Sequence, residues 1–361
     1  MANERSQMAG VMTNGGLTLN PDGQVDALYA EKKAWHGLGH NVESCASIAD
    51  VLQTGTLAWG VEKLQQTHPK SGKPQNAWGI YRDDRDDEFS MLGSCAAGYS
   101  PLQNRELLEL GEGVIGEAGT GKFSACGSLH GGRRIFASLD IGKSIDIAGD
   151  LTNMQLVMLS SHDSSLPVSL GVMSYRPECE NMVAHAFSKI CELEESAGLG
   201  MTTRHSAKLM ERIAVIKNLA AKDMKLIDKL ASNFKVLAGK EISPTSSMFE
   251  TVLTNVLQLG KRQKKDADEL TEQAKTQVAS ITDAYIRNLN NLPDALQFTA
   301  YGLFQAVSFV TNHEQGTRIT SQAQAQGYKE QDLRQMGMLM PTGTGFKTAN
   351  SAWNQLLALC E

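Results

Sequence analysis

The spacing of apolar residues predicts an antiparallel β-meander in the middle of the chain. Two strand-like runs, Phe123 to Leu129 and Arg133 to Leu139, flank His130-Gly131-Gly132. Glycines supply the positive φ angles that a tight turn requires, so these runs predict a hairpin. Leu151 to Ser160 and Pro167 to Tyr175 continue the strand-like pattern. Four successive strands are therefore expected.

Helical patterns lie on both sides of this meander. Leu102 to Ile115 carries apolar residues on one broad face, and Asn181 to Glu192 predicts a second helix. Past Thr203, apolar residues recur at three- and four-residue steps as far as Leu237, which predicts a long amphipathic helix that Gly239 ends. The fold class expected is α+β, with an antiparallel β-meander and flanking helices in the N-terminal half and a helical C-terminal half.

The same patterns divide the helical half further. We expect Ser243-Pro244 to begin the next helix, with helical patterns from Met248 to Leu289 and from Asp294 to Asn312. The segment Gly337 to Phe346 is loop-like, and Ala349 to Leu359 predicts a short closing helix.

Four segments are expected along the chain. Residues 1–33 are polar and dotted with glycine, so they are interpreted as a mobile arm. Residues 34–200 form the α+β core with the hairpin and a nucleic-acid groove. Residues 201–335 form a helical region for oligomerisation or a lid, and residues 336–361 form the tail with its terminal helix.

Composition indicates a globular protein without a scaffold of disulfides or metals. The chain has 361 residues, of which 41% are hydrophobic and 20% charged. Its net charge of −6 excludes a uniformly basic surface but allows a local basic groove. The longest apolar stretch, Phe298 to Val310, is shorter than the ~20 residues that cross a bilayer. With no signal-peptide pattern, a cytoplasmic protein with six free cysteines and no membrane partner is expected.

Two motifs suggest catalysis but fit other roles better. Gly116 to Lys122 matches part of a phosphate-binding loop, yet Phe123 stands where Ser or Thr is needed, and a helix precedes the loop where a strand is required. Neighbours in the run Ser160 to Asp163 point to opposite faces of an extended chain, so they cannot relay a proton. A nucleophile pair of Cys179 with His162 or Asn181 is the remaining enzymatic alternative. We expect no catalytic residue.

Metal and cofactor sites are not expected either. Cys179, His185 and Cys191 are six residues apart, which spreads them over opposite faces of a helix. His36 and His40 have the spacing of a helical zinc pair, but glycines between them favour a loop.

Local basic clusters are the strongest chemical signal. Arg204 to Lys240 contains nine Lys or Arg and three acids, and Lys261 to Lys265 adds a second cluster. Arg133-Arg134 with nearby Lys122 and Lys143 makes a third. Such clusters suit phosphate backbones with salt-dependent affinity, although a solvated helix face is the alternative for the long helix. Single-stranded bases also stack on exposed rings, for which the candidates are Tyr99, Phe123 and Tyr175 unless these pack in the core.

An acidic turn opposes these clusters. The run Asp83-Asp84-Arg85-Asp86-Asp87-Glu88 would repel DNA, so it is expected in an outer loop or a subunit contact.

Six motifs occur in the order typical of one known family. They are Ala34 to Gly39, Tyr99 to Arg105, Gly127 to Arg134, Ser161 to Ser165, Pro177 to Asn181, and the stretch from Ala306-Val307 to His313-Glu314. By these motifs the chain resembles the phage- and plasmid-borne proteins grouped as a domain of unknown function. The resemblance implies mobile DNA in the cytoplasm of a bacterial host. The middle of the chain is also similar, at the level of the fold, to phage single-strand annealing proteins, which assemble into rings or filaments around single-stranded DNA.

We therefore predict a non-catalytic protein that binds and anneals single-stranded DNA as a homo-oligomer during recombination. A phage exonuclease or a host single-strand-binding protein is a further expected partner. The alternative is an anti-defence or structural interaction protein of a mobile element that does not bind nucleic acid. The residues expected to contact DNA are Arg133, Arg134, Lys122, Arg105, Arg176, Lys143, Tyr99, His162, Lys208 and Arg212.

Overall fold

The computed structural model shows an α+β protein with an eight-stranded sheet, a three-stranded sheet, a two-stranded sheet and a helical C-terminal half. The described residues are 17–30, 39–44, 46–115, 122–176, 181–184, 200–203, 205, 225–257, 264–266, 269–289, 292–314 and 344–360. The predicted fold class is confirmed.

The larger sheet has eight strands and contains the predicted meander. Its strands are β1 (Ala27–Ala30), β2 (His40–Val42), β6 (Phe123–Leu129), β7 (Arg134–Ile147), β8 (Asp150–Ser161), β9 (Val168–Arg176), β10 (Asn181–Ala184) and β11 (Gly200–Thr203). The order is β10-β9-β8-β7-β6-β1-β2, and β11 pairs with β9 beyond the end of β10. All neighbouring strands are antiparallel except β1 and β2, so the sheet is mixed.

A smaller antiparallel sheet comes between β2 and β6 in the chain. It consists of β3 (Val61–Thr67), β4 (Pro74–Arg82) and β5 (Met91–Cys95), in that order. The sequence analysis did not predict this sheet. Most of β3 is exposed on both faces, so the alternation of apolar and polar residues that marks a half-buried strand is missing.

Seven α-helices lie within the described residues. They are α1 (Ile48–Gln53), α2 (Asn104–Ile115), α3 (Lys225–Ala238), α4 (Ser247–Val256), α5 (Glu272–Leu289), α6 (Ala300–Phe309) and α7 (Thr344–Ala358). Two short strands, β12 (Lys264–Asp266) and β13 (Glu269–Leu270), pair between α4 and α5.

The helices differ in how much of their surface is buried, and this reflects where each one packs. The apolar face of α2 packs on β7 and β8, and Gly111 allows the close approach because a Cβ there would lie 2.4 Å from the methyl group of Met158. Helix α6 is buried on every side and packs against α3, α5 and α7. Tyr301 of α6 donates a hydrogen bond to Asp150 at the start of β8, which joins the helical half to the sheet.

The predicted mobile arm is wrong for residues 17–30. Leu17 bridges to Leu129, the amide of Thr18 donates to the carbonyl of Ser128 at 3.0 Å, and β1 pairs with β6. Strand β1 has only four residues, and its partner lies about a hundred positions later in the chain, so no local period identifies it.

Three predicted boundaries are also corrected. Residues 181–184 form strand β10 and not the start of a helix, because they pair with β9, and residues 185–192 lie outside the described part. Helix α4 begins at Ser247, where the side chain of Ser246 accepts from the Phe249 amide, so Ser243-Pro244 is not the cap. The final helix begins at Thr344, within the predicted loop. Gly239 does follow the end of α3, as predicted, although residues 206–224 of the predicted long helix lie outside the described part.

We expect Gly127→Ala to destabilise the fold by about 1–3 kcal/mol, the usual cost of overpacking. A Cβ at Gly127 would lie 2.6 Å from the carbonyl oxygen of Asp26 and 2.9 Å from the Cα of Ala27, and paired backbone cannot move aside easily. Urea unfolding gives the change. Gly98→Ala is the control because nothing lies within 4 Å of its Cβ position. Equal stability of the two variants would contradict the close pairing of β1 with β6.

Candidate nucleic-acid interface

The turn between β6 and β7 holds the two consecutive arginines of the predicted site. His130, Gly131 and Gly132 all have positive φ angles, 57°, 74° and 96°. A Cβ on Gly132 would lie 2.9 Å from the Trp59 ring and 3.1 Å from Nη1 of Arg82. Only glycine fits that position, so the turn packs directly on Trp59 and Arg82. Arg133 and Arg134, called the arginine pair below, follow this fixed turn.

Beneath the turn lies a buried polar layer formed by Asp26, Trp59, Arg82, Asn104 and His162. A carboxylate holds this layer together. Asp26 is fully buried and accepts hydrogen bonds from the Leu57 amide at 2.7 Å, from Nε1 of Trp59 at 2.8 Å and from the hydroxyl of Ser128. A buried carboxylate is tolerated when several donors compensate for its lost hydration. Asp26 thereby joins β1, the segment before β3, and β6.

Arg82 is the second charged group of this layer. Its guanidinium stacks on the Trp59 ring at 4.1 Å and binds both carboxylate oxygens of Asp84, at 2.8 and 2.6 Å. It also donates to Asn20 at 2.9 Å and to the carbonyl of Gly131 at 3.4 Å. Arg82 is therefore fully engaged in holding the turn.

His162 lies in the same layer and is completely buried. Asn104, at the start of α2, donates from its Nδ2 to the carbonyl of Trp59 at 2.8 Å, which directs its Oδ1 toward Nε2 of His162, also at 2.8 Å. Since Oδ1 only accepts, Nε2 of His162 carries the proton. Nδ1 of His162 has no hydrogen-bond partner among the described residues.

The histidines of this layer are held in the neutral form. Burial, then the neighbouring His205 and Arg82, lower the pKa of His162 to about 3. Burial also lowers the pKa of His205. The Nε2 atom of His205 lies 3.4 Å from the hydroxyl oxygen of Ser160. Because neither ring is charged, these histidines pack the layer and add no cation to the site.

The arginine pair is the source of positive potential at the turn. Burial, followed by the charges of Arg134 and Arg133, lowers the pKa of His130 to about 3. Nε of Arg134 donates to the hydroxyl of Ser165 at 3.2 Å, and the carbonyl of Arg133 accepts from the His162 amide at 2.8 Å. Within the described residues, no carboxylate forms an ion pair with Arg133.

The structure does not gather all the predicted cations at this turn. Lys122 is exposed and lies at the opposite end of β6, about 20 Å away at ~3.3 Å per residue. Arg105 is paired with Glu109 at 3.0 Å, and Lys143 with Asp228 at 3.7 Å. Arg176 ends β9 opposite Asn181. Lys208 and Arg212 lie outside the described residues.

Two predicted contact residues face inward. His162 is buried, so its side chain is not at a surface where DNA could bind. Tyr99 is half-buried, its ring stacks on His205 at 4.9 Å, and its hydroxyl donates to the carbonyl of Ser161 at 3.0 Å. Burial raises the pKa of Tyr99. One face of its ring is thus already covered. The sequence analysis overlooked Asp26 and Arg82, because no local motif marks residues that act through long-range contacts.

The enzymatic and metal motifs can be placed only in part. Helix α2 precedes and β6 follows residues 116–121, which themselves lie outside the described part, so the order of elements is the reverse of a phosphate-binding loop. Cys179, His185, Cys191 and His36 are outside it too. Over the described segments, no group of three or more His, Cys, Asp or Glu side chains is arranged to hold a metal ion. Cys95, Cys126 and Cys360 are free thiols.

The fold and this site together define an α+β protein with a basic turn above a buried polar layer. The family model described as "Domain of unknown function (DUF932)" matches residues 91–332. The match spans more than half of the chain, so the chain belongs to this family. No curated protein and no solved structure matches the chain. In the portion of the chain that the structure describes, every helix is too short or too polar to cross a bilayer.

Asp26→Ala is expected to destabilise the protein by about 3 kcal/mol or more, because three buried donors lose their shared acceptor and each unsatisfied donor costs ~1–3 kcal/mol. Chemical denaturation measures the loss. The exposed Asp86→Ala variant serves as the control and should stay within about 0.5 kcal/mol of the wild type. A loss in Asp26→Ala as small as that of the control would show that the carboxylate does not fasten the layer.

The neutral His162 predicts loss of stability in acid. Its folded-state pKa of about 3 lies below the ordinary 6.5, so between these values the unfolded chain binds a proton that the folded chain does not. Stability therefore falls as the pH drops below 6.5. Between pH 6.5 and pH 5, the free energy of unfolding of His162→Gln should fall by about 1–2 kcal/mol less than that of the wild type. Urea unfolding at both pH values tests this, and identical pH dependence would mean that His162 titrates normally.

Proposed function

We propose that this protein binds single-stranded DNA at the β6–β7 turn and anneals complementary strands. The observation that carries the proposal is the arginine pair, which follows a glycine turn packed on Trp59 and Arg82. Arg133 is not paired with a described carboxylate, whereas Arg82, Arg85 and Arg105 are. A guanidinium without an acidic partner is ready to bind a phosphate in bidentate fashion.

The proposed mechanism needs no covalent chemistry. Arginine–phosphate contacts would neutralise the backbones of two strands and so reduce their repulsion. Base pairing then supplies the free energy of annealing. The protein's part is to hold each strand on a rigid turn while the bases stay accessible. The expected origin in phages or plasmids supports this role, because mobile elements use recombination.

The proposal includes self-association. One turn offers only two guanidinium groups, and Lys122 lies at the far end of β6, so one copy provides a short phosphate path. Several copies in a ring or filament would align successive turns along one strand. An exonuclease or a single-strand-binding protein would be a further partner that supplies the strand.

The double variant Arg133→Glu/Arg134→Glu tests the proposal. We expect at least a tenfold loss of affinity for a fluorescent oligonucleotide of about thirty nucleotides, with the fold retained by circular dichroism. The slope of log affinity against log salt should decrease in magnitude by about 1.4, the value for two lost phosphate contacts on a single strand. Annealing of two complementary labelled strands should slow in parallel.

The matched control is Lys275→Glu/Lys347→Glu, which makes the same charge change at exposed positions on α5 and α7. This variant should bind like the wild type. A wild-type protein without salt-sensitive binding would overturn the function and favour the alternative of an interaction protein. Wild-type affinity in the arginine variant would remove the turn from the site.

A further inference from the structure

We infer that the ribbon formed by β3 and β4 is a second phosphate-binding surface for nucleic acid, an inference that rests on the proposed function. The segment from Lys63 to Trp78, called the basic ribbon below, includes the loop that joins the two strands. None of the ten predicted contact residues lies in it.

The basic ribbon projects from the body of the protein. No residue from Glu62 to Trp78 is buried, whereas Val61, Gly79 and Ile80 at its base are buried. Strand β5 pairs with β4 only from Trp78 to Tyr81, so the outer part of the ribbon has two strands and solvent on both faces. Such an arm adds little to the core, because two isolated strands are only marginally stable in water.

The tip of the ribbon is nevertheless well defined. The His68 amide donates to the carbonyl of Lys73 at 2.8 Å, and the Gly72 amide donates to the carbonyl of His68 at 2.8 Å. Nδ1 of His68 accepts from the amides of Lys70 at 3.2 Å and Ser71 at 3.3 Å. Gly72 has a φ of 65°, which favours glycine. The loop therefore holds Lys70 and Lys73 together, and both are exposed.

The charge of the ribbon is opposite to that of the whole chain. No Asp or Glu occurs from Lys63 to Arg82, in a protein with a net charge of −6. The half-buried Lys63 already has partners within the protein, because its Nζ donates to the Tyr99 carbonyl at 2.8 Å and lies 4.9 Å from the centre of the Trp78 ring. Lys70 and Lys73 form no ion pair with a described residue. They remain available to an external anion.

The other side chains of the ribbon favour nucleic acid as that anion. Amide side chains that donate and accept hydrogen bonds to bases or phosphates accompany the lysines, at Gln65, Gln66, Gln75 and Asn76. The tip itself, from His68 to Lys73, carries no large apolar side chain that would insert into a lipid bilayer. A polyanion with a hydrogen-bonding surface is the better match.

The position of the ribbon connects it to the arginine pair. Arg82, at the other end of β4, contacts the carbonyl of Gly131 in the β6–β7 turn. Strand β4 has nine residues, so the tip lies about 30 Å from that turn at ~3.3 Å per residue. The two cation pairs therefore occupy opposite ends of one strand. A nucleic acid that spans both would contact phosphates at two separated points.

The test compares Lys70→Glu/Lys73→Glu with the wild type, with Arg133→Glu/Arg134→Glu and with the control Lys275→Glu/Lys347→Glu. Affinity for an oligonucleotide of about thirty nucleotides is measured at several salt concentrations, and thermal unfolding checks each fold. We expect the ribbon variant to bind about tenfold more weakly than the wild type at low salt. The slope of its log affinity against log salt concentration should be smaller in magnitude by about 1.4, and its thermal unfolding should match that of the wild type. Lys70→Gln/Lys73→Gln should give a smaller loss, because it removes charge without reversing it.

The outcomes separate this inference from the function. If the ribbon variant binds like the wild type while the arginine variant is weakened, the ribbon is not a contact surface and the function stands. If the wild type binds no nucleic acid, both proposals are overturned. If phosphatidylserine vesicles bind the wild type and not the ribbon variant, while the two bind DNA equally, the ribbon binds membranes and the inference is overturned.

Discussion

The buried carboxylate of Asp26 is the constraint on which this end of the molecule depends. It accepts from three donors in two other chain segments: the Leu57 amide and Trp59 Nε1 before β3, and the Ser128 hydroxyl in β6. Without those donors a charge in this place would be costly, and without the carboxylate three buried donors would be unsatisfied. The carboxylate and its three donors therefore depend on each other. It sets the position of Trp59, on which Arg82 stacks and against which Gly132 packs.

The layer above Asp26 shows how interior chemistry produces a surface property. Arg82 and its partner Asp84 cancel one another, and burial keeps His162 neutral. The charge that reaches the surface at the turn is then that of Arg133 and Arg134. The family to which the chain belongs is described as a domain of unknown function. A turn that carries two adjacent guanidinium groups is better suited to binding an anion than to transferring a proton.

Ion pairs also neutralise part of the acidic turn, residues 83–88, beside this site. Asp84 is paired with Arg82, and Asp87 with Arg85, so part of its negative charge is neutralised within the loop. The exposed Asp83, Asp86 and Glu88 remain. The acidic turn directly follows Arg82, so it lies at the end of β4 that contacts the β6–β7 turn and not at the ribbon tip.

The sequence by itself determined the meander from Phe123 to Tyr175, the helix over Leu107 and Leu110, and the helical second half, because neighbouring residues and glycine turns decide these elements. Tertiary structure alone decided that residues 17–30 join the sheet, that Asn181 begins a strand, and that His162 faces inward. Short strands carry too few residues for a period, and their pairing partners lie far along the chain. The burial of a polar residue likewise depends on what packs over it, here Asn104 and Trp59, which no local pattern reveals.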